Sequence, residues 1–286
     1  MSRTMETGTS ELSRVFARQL QSGAVELPQM PGTAAQILDL SQQEDTDAAK
    51  LSSVIHNDQT IASNVLRVAN SAAYAGQVPC ASLQQAVSRL GMQLVTEIAM
   101  AVAVRGRLFT NATCAELLKA LWQHSVLAAF YTKEIARMRR RNVEIAFMCG
   151  LLHDIGKAML LNNVDRVLAG QDMSIPVDEL YAAVHDQHIP AGILLAEAWK
   201  LPEQVTEAIV CHHDTEQAKS FADMAMMVAL ADHLAKWVAP DPHATSVGED
   251  DLRGLDLLVG LNIYPDQLDE LMSMCDRVLE KTEGLQ

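Results

Sequence analysis

The chain has 286 residues, of which 49% are hydrophobic and only 4% aromatic, a composition typical of a globular protein with a sizeable core. Its formal net charge of −14 argues against a broad, non-specific hold on nucleic acid or on an anionic membrane surface, since both need positive charge. The five cysteines are scattered without a CxxC pair, so they predict neither a disulfide framework nor a cysteine-type zinc site.

No apolar run reaches the ~18–20 residues that a bilayer crossing needs. The first residues, MSRTMETGTSELSR, are polar and contain no apolar signal core. We therefore expect a cytoplasmic protein with no membrane partner and no nucleic-acid partner.

Apolar residues recur at helical spacing along the chain, while the β-branched alternation typical of strands is scarce. We predict an all-α protein, a two-lobed helical bundle with a tail or helix at 1–23, an N-terminal lobe at 24–112 and a C-terminal lobe at 113–286. Thr33 and Asp58 are predicted helix caps. The predicted helices are 11–21, 33–41, 48–56, one opening at Asp58, 82–90, 92–108, 114–138, 143–152, 178–186, 189–199, 202–213, 219–237 and 265–281, with a turn at 155–163 and a Pro-, Asp- and Gly-rich stretch at 239–254.

The string LLHDIGK places His153 and Asp154 side by side at the end of a predicted helix. Imidazole nitrogen and carboxylate oxygen both suit divalent first-row metal ions, so this pair is a candidate for binding one metal. We expect Gly156 to let the backbone turn immediately afterwards. Lys157 then follows the pair as a compact cation that could reach a phosphate oxygen.

Further candidate ligands lie before and after this string, namely His124, His188, the pair His212-His213, and Asp232. Asp232 stands in an otherwise apolar helix, where a carboxylate is costly unless it is paired, protonated or bound to metal. Cys211 projects about 100° away from His212 around the helix and is left out of the set.

Each candidate also has a structural alternative. His124 alone is typical of a hydrogen-bonded core histidine, and His212-His213 alone of a polar helix end. Asp232 alone pairs readily with Lys236 one turn later, and Lys157 alone is typical of a surface lysine. Taken together, however, independent accidents would rarely supply this order of histidines and aspartates in one helical lobe. The set as a whole therefore predicts a metal site.

The order His124, His153-Asp154, Asp232 resembles the HD superfamily of metal-dependent phosphohydrolases. Over about residues 24–281 the chain more closely resembles the HDOD (HD-related output domain) family of bacterial signalling proteins. The motifs that carry the resemblance are LPQMPGTAAQIL, VIHNDQTIASNVLRVANSAAYAG, LLHDIGK and DQHIPAGILLAEAWKLPEQVTEAIVCHH. The resemblance implies an HD-like fold in the C-terminal lobe and a role in signal transduction.

The function that this resemblance implies is regulation through a protein partner, with a retained divalent metal site for Fe, Mn, Mg or Zn. The alternative is an active phosphohydrolase on a nucleotide or phosphoester, with Asp154 and Lys157 as catalytic residues. Relatives that hydrolyse cyclic-di-GMP carry Gly-Tyr-Pro soon after the histidine pair, whereas this chain reads HHDTEQAKSFADM, so we expect no such activity. The implied metal ligands are His124, His153, Asp154, His188, His212, His213 and Asp232.

Overall fold

A computed structural model describes residues 10–41, 48–71, 73–74, 76–169 and 175–285. Within these ranges the chain forms sixteen α-helices, one 3-10 turn at Thr215–Gln217 and no strand, which confirms the predicted all-α class. The first six helices are α1 Glu11–Gln21, α2 Gly32–Ser41, α3 Ala48–His56, α4 Gln59–Ala69, α5 Leu83–Leu90 and α6 Met92–Leu108. The remaining ten are α7 Ala115–Met138, α8 Val143–Leu152, α9 Ile155–Val167, α10 Val177–Trp199, α11 Glu203–Cys211, α12 Ala222–Val238, α13 Glu249–Arg253, α14 Asp256–Gly260, α15 Pro265–Ser273 and α16 Cys275–Glu283.

Several helices begin at a polar side chain that accepts hydrogen bonds from their first free backbone N–H groups. The Asp58 carboxylate accepts from Thr60 and Ile61 and so caps α4, as predicted. The predicted cap at Thr33 is wrong, because α2 already begins at Gly32. The Thr33 hydroxyl instead donates to the Asp58 carboxylate at 3.4 Å.

Helix α10 departs from the predicted pair 178–186 and 189–199, because it runs unbroken through Pro190. A proline inside a helix removes one backbone hydrogen bond and costs about 3 kcal/mol. Both halves of α10 are anchored in the core, Val184 before the proline and Leu195 after it. Burial on both sides of Pro190 therefore outweighs the local penalty and keeps one long helix.

The segment predicted as a turn at 155–163 and the Pro-, Asp- and Gly-rich stretch at 239–254 both contain helix. The first belongs to helix α9, and the second ends in α13. The single helix predicted at 265–281 is divided at Met274 into α15 and α16.

Helix α7 lies at the centre of the molecule and contacts α8, α12 and α16. Its Trp122 is buried, and the indole N–H donates to the Leu285 carbonyl at 3.2 Å, which ties the end of the described chain to the core. At the other end of the chain, α1 buries Phe16 and packs against α9 and α10. The predicted lobe boundary at 112/113 falls in the connection between α6 and α7.

No individual helix in the described ranges combines the length and apolar composition that a membrane crossing requires. Helices α5 and α6 pass such a test only as a pair, and that pair is bent by 116°.

Candidate metal centre

His153 and Asp154 occupy the junction between two helices in the middle of the core. Helix α8 is capped by Asn142, whose side chain accepts hydrogen bonds from the N–H groups of Glu144 and Ile145, and it ends at Leu152. Helix α9 begins at Ile155, so the two candidate ligands stand between one helix end and the next helix start. Both side chains are buried, His153 at 0% and Asp154 at 1% exposure.

Gly156 has a role other than the predicted backbone turn. Its backbone is not in the left-handed region, so the expected turn is wrong. The reason for glycine is space. A Cβ atom at this position would lie 1.9 Å from the His188 carbonyl oxygen and 2.6 Å from the Gly192 nitrogen. The missing side chain therefore lets α9 lie directly against α10, which brings His188 to Asp154.

The first group of candidate ligands surrounds one oxygen of Asp154. Asp154 Oδ2 lies 3.3 Å from His153 Nε2 and 3.7 Å from His124 Nε2. Asp232 Oδ1 completes the group at 3.1 Å from His124 Nε2 and 3.7 Å from His153 Nε2. The ligand atoms of these four residues lie within 4.8 Å of one another.

The second group surrounds the other oxygen of the same carboxylate. Asp154 Oδ1 lies 3.5 Å from His188 Nε2 and 3.6 Å from His212 Nε2. These two nitrogens are 3.4 Å apart, and His213 offers a further ligand atom to the group. The structure thus brings all seven candidate ligands of the sequence together, in two neighbouring groups that share Asp154.

Backbone carbonyls orient the imidazole rings. The Nδ1–H of His153 donates to the Gly150 carbonyl at 2.8 Å, and that of His212 donates to the Ile209 carbonyl at 3.0 Å. His188 Nδ1 faces the His185 carbonyl in the same way. These bonds place an N–H on Nδ1, so each Nε2, which points toward Asp154, is the atom left to bind a metal ion. This orientation is the one that metal-binding histidines adopt.

The local charges set the protonation states of the candidate ligands. Burial would lower the pKa of His153, but the Asp154 carboxylate outweighs burial and raises that pKa to about 9, so a metal ion would displace a proton from this ring. Burial would raise the pKa of Asp154, but the ammonium of Lys157 and the imidazole of His153 outweigh burial and hold that pKa well below its usual range. Burial lowers the pKa of His188 to about 3, and burial together with His212 lowers the pKa of His213 to about 2. Asp154 is therefore ionised and these two histidines are neutral near pH 7, which are the metal-binding forms.

Two buried oxygens support the fit to metal ions. Asp154 Oδ1 and Asp232 Oδ1 are shielded from solvent, and neither has a geometrically satisfactory hydrogen bond within the described residues. A buried carboxylate oxygen without a partner is costly, whereas a divalent cation would satisfy both oxygens. The donor set, five imidazoles and two carboxylates, has the chemistry that first-row divalent ions prefer. The residues present therefore fit a pair of metal ions.

A cleft of about 600 Å³ opens beside the centre and contains residues that the sequence analysis did not assign to the site. Lys236 lies one turn after Asp232, and its Nζ donates to Asp232 Oδ2 at 2.6 Å. Lys157 donates to Asp154 Oδ2 at the same distance, so the two ammonium groups flank the first site. The i, i+4 spacing of Asp232 and Lys236 was the available sequence signal. His185, His233, His243 and Tyr181 also line the cleft.

The HDOD domain model matches residues 27–215, which is more than half of the chain. The chain belongs to the HDOD family. The match covers the ligands from His124 to His213, while Asp232 and Lys236 lie beyond its end.

Two curated proteins align with part of this chain. The chain is 24% identical over 236 residues to an uncharacterised Treponema pallidum protein, an alignment that covers 79% of this chain and 45% of the relative. It is 31% identical over 162 residues to ribonuclease Y of Mycoplasmoides gallisepticum, which covers 55% of this chain and 25% of that enzyme. The chain therefore spans less than half the length of these curated relatives.

Among solved structures, an HDOD domain protein of unknown function from Geobacter sulfurreducens superposes with a TM-score of 0.73 at 24% identity, covering 96% of this chain and 97% of that one. A Shewanella amazonensis SB2B protein, whose name proposes a metal-dependent phosphohydrolase, gives a TM-score of 0.72 at 21% identity, with 95% and 98% covered. These likenesses show that the fold is shared.

Proposed function

We propose that this HDOD protein holds two divalent metal ions and hydrolyses a phosphoester of small-molecule size. The observation that carries the proposal is the division of the Asp154 carboxylate, with Oδ2 toward His124 and His153 and Oδ1 toward His188 and His212. A carboxylate in this position can bridge two ions, and paired ions are a common device for phosphoester hydrolysis.

The two sites divide the seven ligands. His124, His153 and Asp232 would hold one ion, while His188, His212 and His213 would hold the other, and Asp154 would serve both. So many imidazole ligands favour Fe or Zn over Mg, which prefers oxygen ligands and keeps several waters. Bound ions would lower the pKa of water and neutralise phosphate charge.

Two lysine side chains beside the metal centre provide positive charge for an anionic substrate. Lys157 and Lys236 each use one N–H on a ligand carboxylate, which leaves two further donors on each ammonium group. Both side chains line the 600 Å³ cleft, as do three imidazoles that belong to neither ligand group. The cleft volume lies within the range of sites for small-molecule ligands. A phosphate group held by the two lysines would therefore lie next to the centre.

The loop after His213 is held in place by a side chain of α11. Its backbone is held by Glu207, whose carboxylate accepts hydrogen bonds from the N–H groups of Lys219, Ser220 and Phe221 at 2.7–3.2 Å. The loop also carries Asp214, an acid that repels phosphodiesters. The Asp214 charge opposes any phosphate group, so the case against cyclic-di-GMP rests on the absence of Gly-Tyr-Pro from this loop.

The test is turnover of a panel of phosphoesters, including para-nitrophenyl phosphate and mononucleotides, by protein loaded with Mn²⁺, Fe²⁺ or Zn²⁺. Elemental analysis measures occupancy in the same preparation. We expect two ions per chain and hydrolysis that is lost in Asp154→Ala. Protein with both ions bound that turns over no phosphoester would contradict the enzymatic proposal.

Regulation through a protein partner is the second candidate, and it was the first expectation from the sequence. Two exposed apolar side chains near the end of the chain favour it, Val259 at 79% and Tyr264 at 65% exposure. In that case the metal centre would stabilise the fold without turnover. Full metal occupancy with no hydrolysis, together with a large loss of thermal stability on chelation, would support this candidate.

A further inference from the structure

One face of helix α10 leads from the metal centre into the cleft beside it. Asp178, Tyr181, His185 and His188 follow one another at intervals of three or four residues, so their side chains lie on the same side of the helix. His188 stands at the inner end of this row as a candidate ligand, while Tyr181 and His185 line the cleft. From His188 to Tyr181 the row extends about 10 Å outward, the rise of seven helical residues.

The rings along this row are supported by neighbouring side chains. The His185 and His188 rings stack with their centroids 5.3 Å apart. The Tyr181 ring lies 5.7 Å from the ring of His243, whose Nδ1 is 2.7 Å from the Asp178 carboxylate. His185 is exposed, and Tyr181 and His243 are half-buried, so a molecule in the cleft can touch all three rings. Tyr181, His185 and His243 therefore form an aromatic wall of the cleft.

Uncharged and apolar groups dominate this side of the cleft. Burial raises the pKa of Tyr181, and the Asp241 carboxylate raises it further, so the phenol is neutral near pH 7. Val247 and Leu255 also line the cleft, and both are half-buried, so part of each side chain is accessible. Flat aromatic groups pack on such rings in offset or edge-to-face arrangements, whereas a hydroxyl-rich group would lose hydrogen bonds to water against the two aliphatic side chains.

The cleft also holds two cations for a phosphate group. Lys157 and Lys236 line it together with the aromatic wall, and each ammonium group donates one hydrogen bond of 2.6 Å to a ligand carboxylate, which leaves two further donors on each. Asp251 lines the same cleft, and Asp241 acts on Tyr181. These two acids would repel a further phosphate group, which favours a substrate with a single phosphate.

We propose that the substrate of the metal centre is a phosphomonoester with an aromatic organic part. Its phosphate lies at Lys157 and Lys236, and its ring packs against the aromatic wall, chiefly against Tyr181, which stands between His185 and His243. Tyr181 is thus a specificity-determining residue that contacts the substrate away from the reacting atoms. This inference rests on the hydrolytic function proposed above, which by itself leaves the organic part of the substrate open.

The experiment is isothermal titration calorimetry of the metal-loaded full chain with phenylphosphonate and methylphosphonate, which share the anionic group, differ in the ring and contain no ester to hydrolyse. We expect phenylphosphonate to bind about tenfold more tightly, because burial and stacking of the ring add to the phosphonate contacts. Equal affinities would overturn this inference alone. Absence of binding by both compounds would overturn it together with the anion site of the proposed function. Turnover plays no part, so a failure of hydrolysis is read separately.

The matched variants are Tyr181→Leu and Tyr264→Leu. Both replace a tyrosine by leucine, but Tyr264 is 65% exposed and does not line the cleft. We expect Tyr181→Leu to weaken phenylphosphonate binding about fivefold, with methylphosphonate affinity and metal content unchanged, and Tyr264→Leu to alter none of these. Unchanged phenylphosphonate binding in Tyr181→Leu, or an equal loss for both phosphonates, would overturn the role assigned to the Tyr181 ring.

Discussion

The close contact between α9 and α10 predicts a specific effect of Gly156→Ala. The new Cβ would lie 1.9 Å from the His188 carbonyl oxygen, a backbone atom that cannot move away by a side-chain rotation. Overpacking of this kind costs typically 1–3 kcal/mol, and a contact this short belongs at the upper end. Alanine recovers about 1 kcal/mol through its better helix propensity. We therefore expect a net destabilisation of about 2 kcal/mol.

The two helices can relieve this contact only by separating, which moves His188 away from Asp154. We expect Gly156→Ala to lower the Tm by about 4–8 °C. We also expect it to lose the metal ion held by His188, His212 and His213 before the ion of the other site. Differential scanning calorimetry and elemental analysis measure the two effects in one preparation.

Gly106→Ala is the matched control, since Gly106 lies in helix α6 and a Cβ there would meet no atom within 4 Å. This control should raise stability by up to about 1 kcal/mol, through helix propensity alone. Gly156→Ala protein that melts at or above the wild-type temperature and keeps both metal ions would refute the argument.

Further outcomes follow from the same geometry. Asp154→Ala should lower the metal content from two ions to almost none and keep the helical circular dichroism signal. Asp232→Ala should retain one ion. Equal losses of metal in the two variants would contradict the proposal that Asp154 serves both metal ions. Lys236→Met should weaken inhibition of metal-loaded protein by inorganic phosphate about threefold or more at unchanged metal content, and unchanged inhibition would remove Lys236 from the anion site. Burial would raise the pKa of Glu134, but Arg137 outweighs burial and lowers that pKa. The ionised Glu134 carboxylate therefore stabilises the folded protein fully above about pH 4.5, and this contribution is lost as the pH falls. Glu134→Gln should therefore lose less stability than the wild type between pH 7 and pH 3 in urea titrations. Metal-loaded protein should not turn over cyclic-di-GMP, and turnover abolished by Asp154→Ala would show that the loop argument is wrong.

Much of the secondary structure was predictable because helices are encoded locally. The bounds of α1, α5, α6 and α8 agree with the predictions to within about a residue, since apolar spacing and polar caps act over one or two turns. Local rules failed at Pro190, where packing on both sides of the proline keeps the helix intact.

The candidate ligands of the metal centre were also predictable from the sequence, whereas their division into two groups around Asp154 was not. Histidine and aspartate in the observed order predict a metal site, and the structure brings these side chains together. That Asp154 faces one group with Oδ1 and the other with Oδ2 depends on the crossing of α7, α8, α10, α11 and α12. Whether the assembled residues bind metal stays a prediction.

The helical class, the resemblance to the HDOD proteins and the side chains that could hold a metal were all predictable from the amino-acid sequence, because these properties reside in residue types and their spacing. Three features became visible only in the folded chain: Gly156 is needed for space, Lys236 faces the same cleft as Lys157, and Tyr181 lines that cleft as well. Each of these facts depends on two helices distant in sequence approaching one another. The packing of the whole core determines which helices approach one another, and local sequence patterns do not predict this packing.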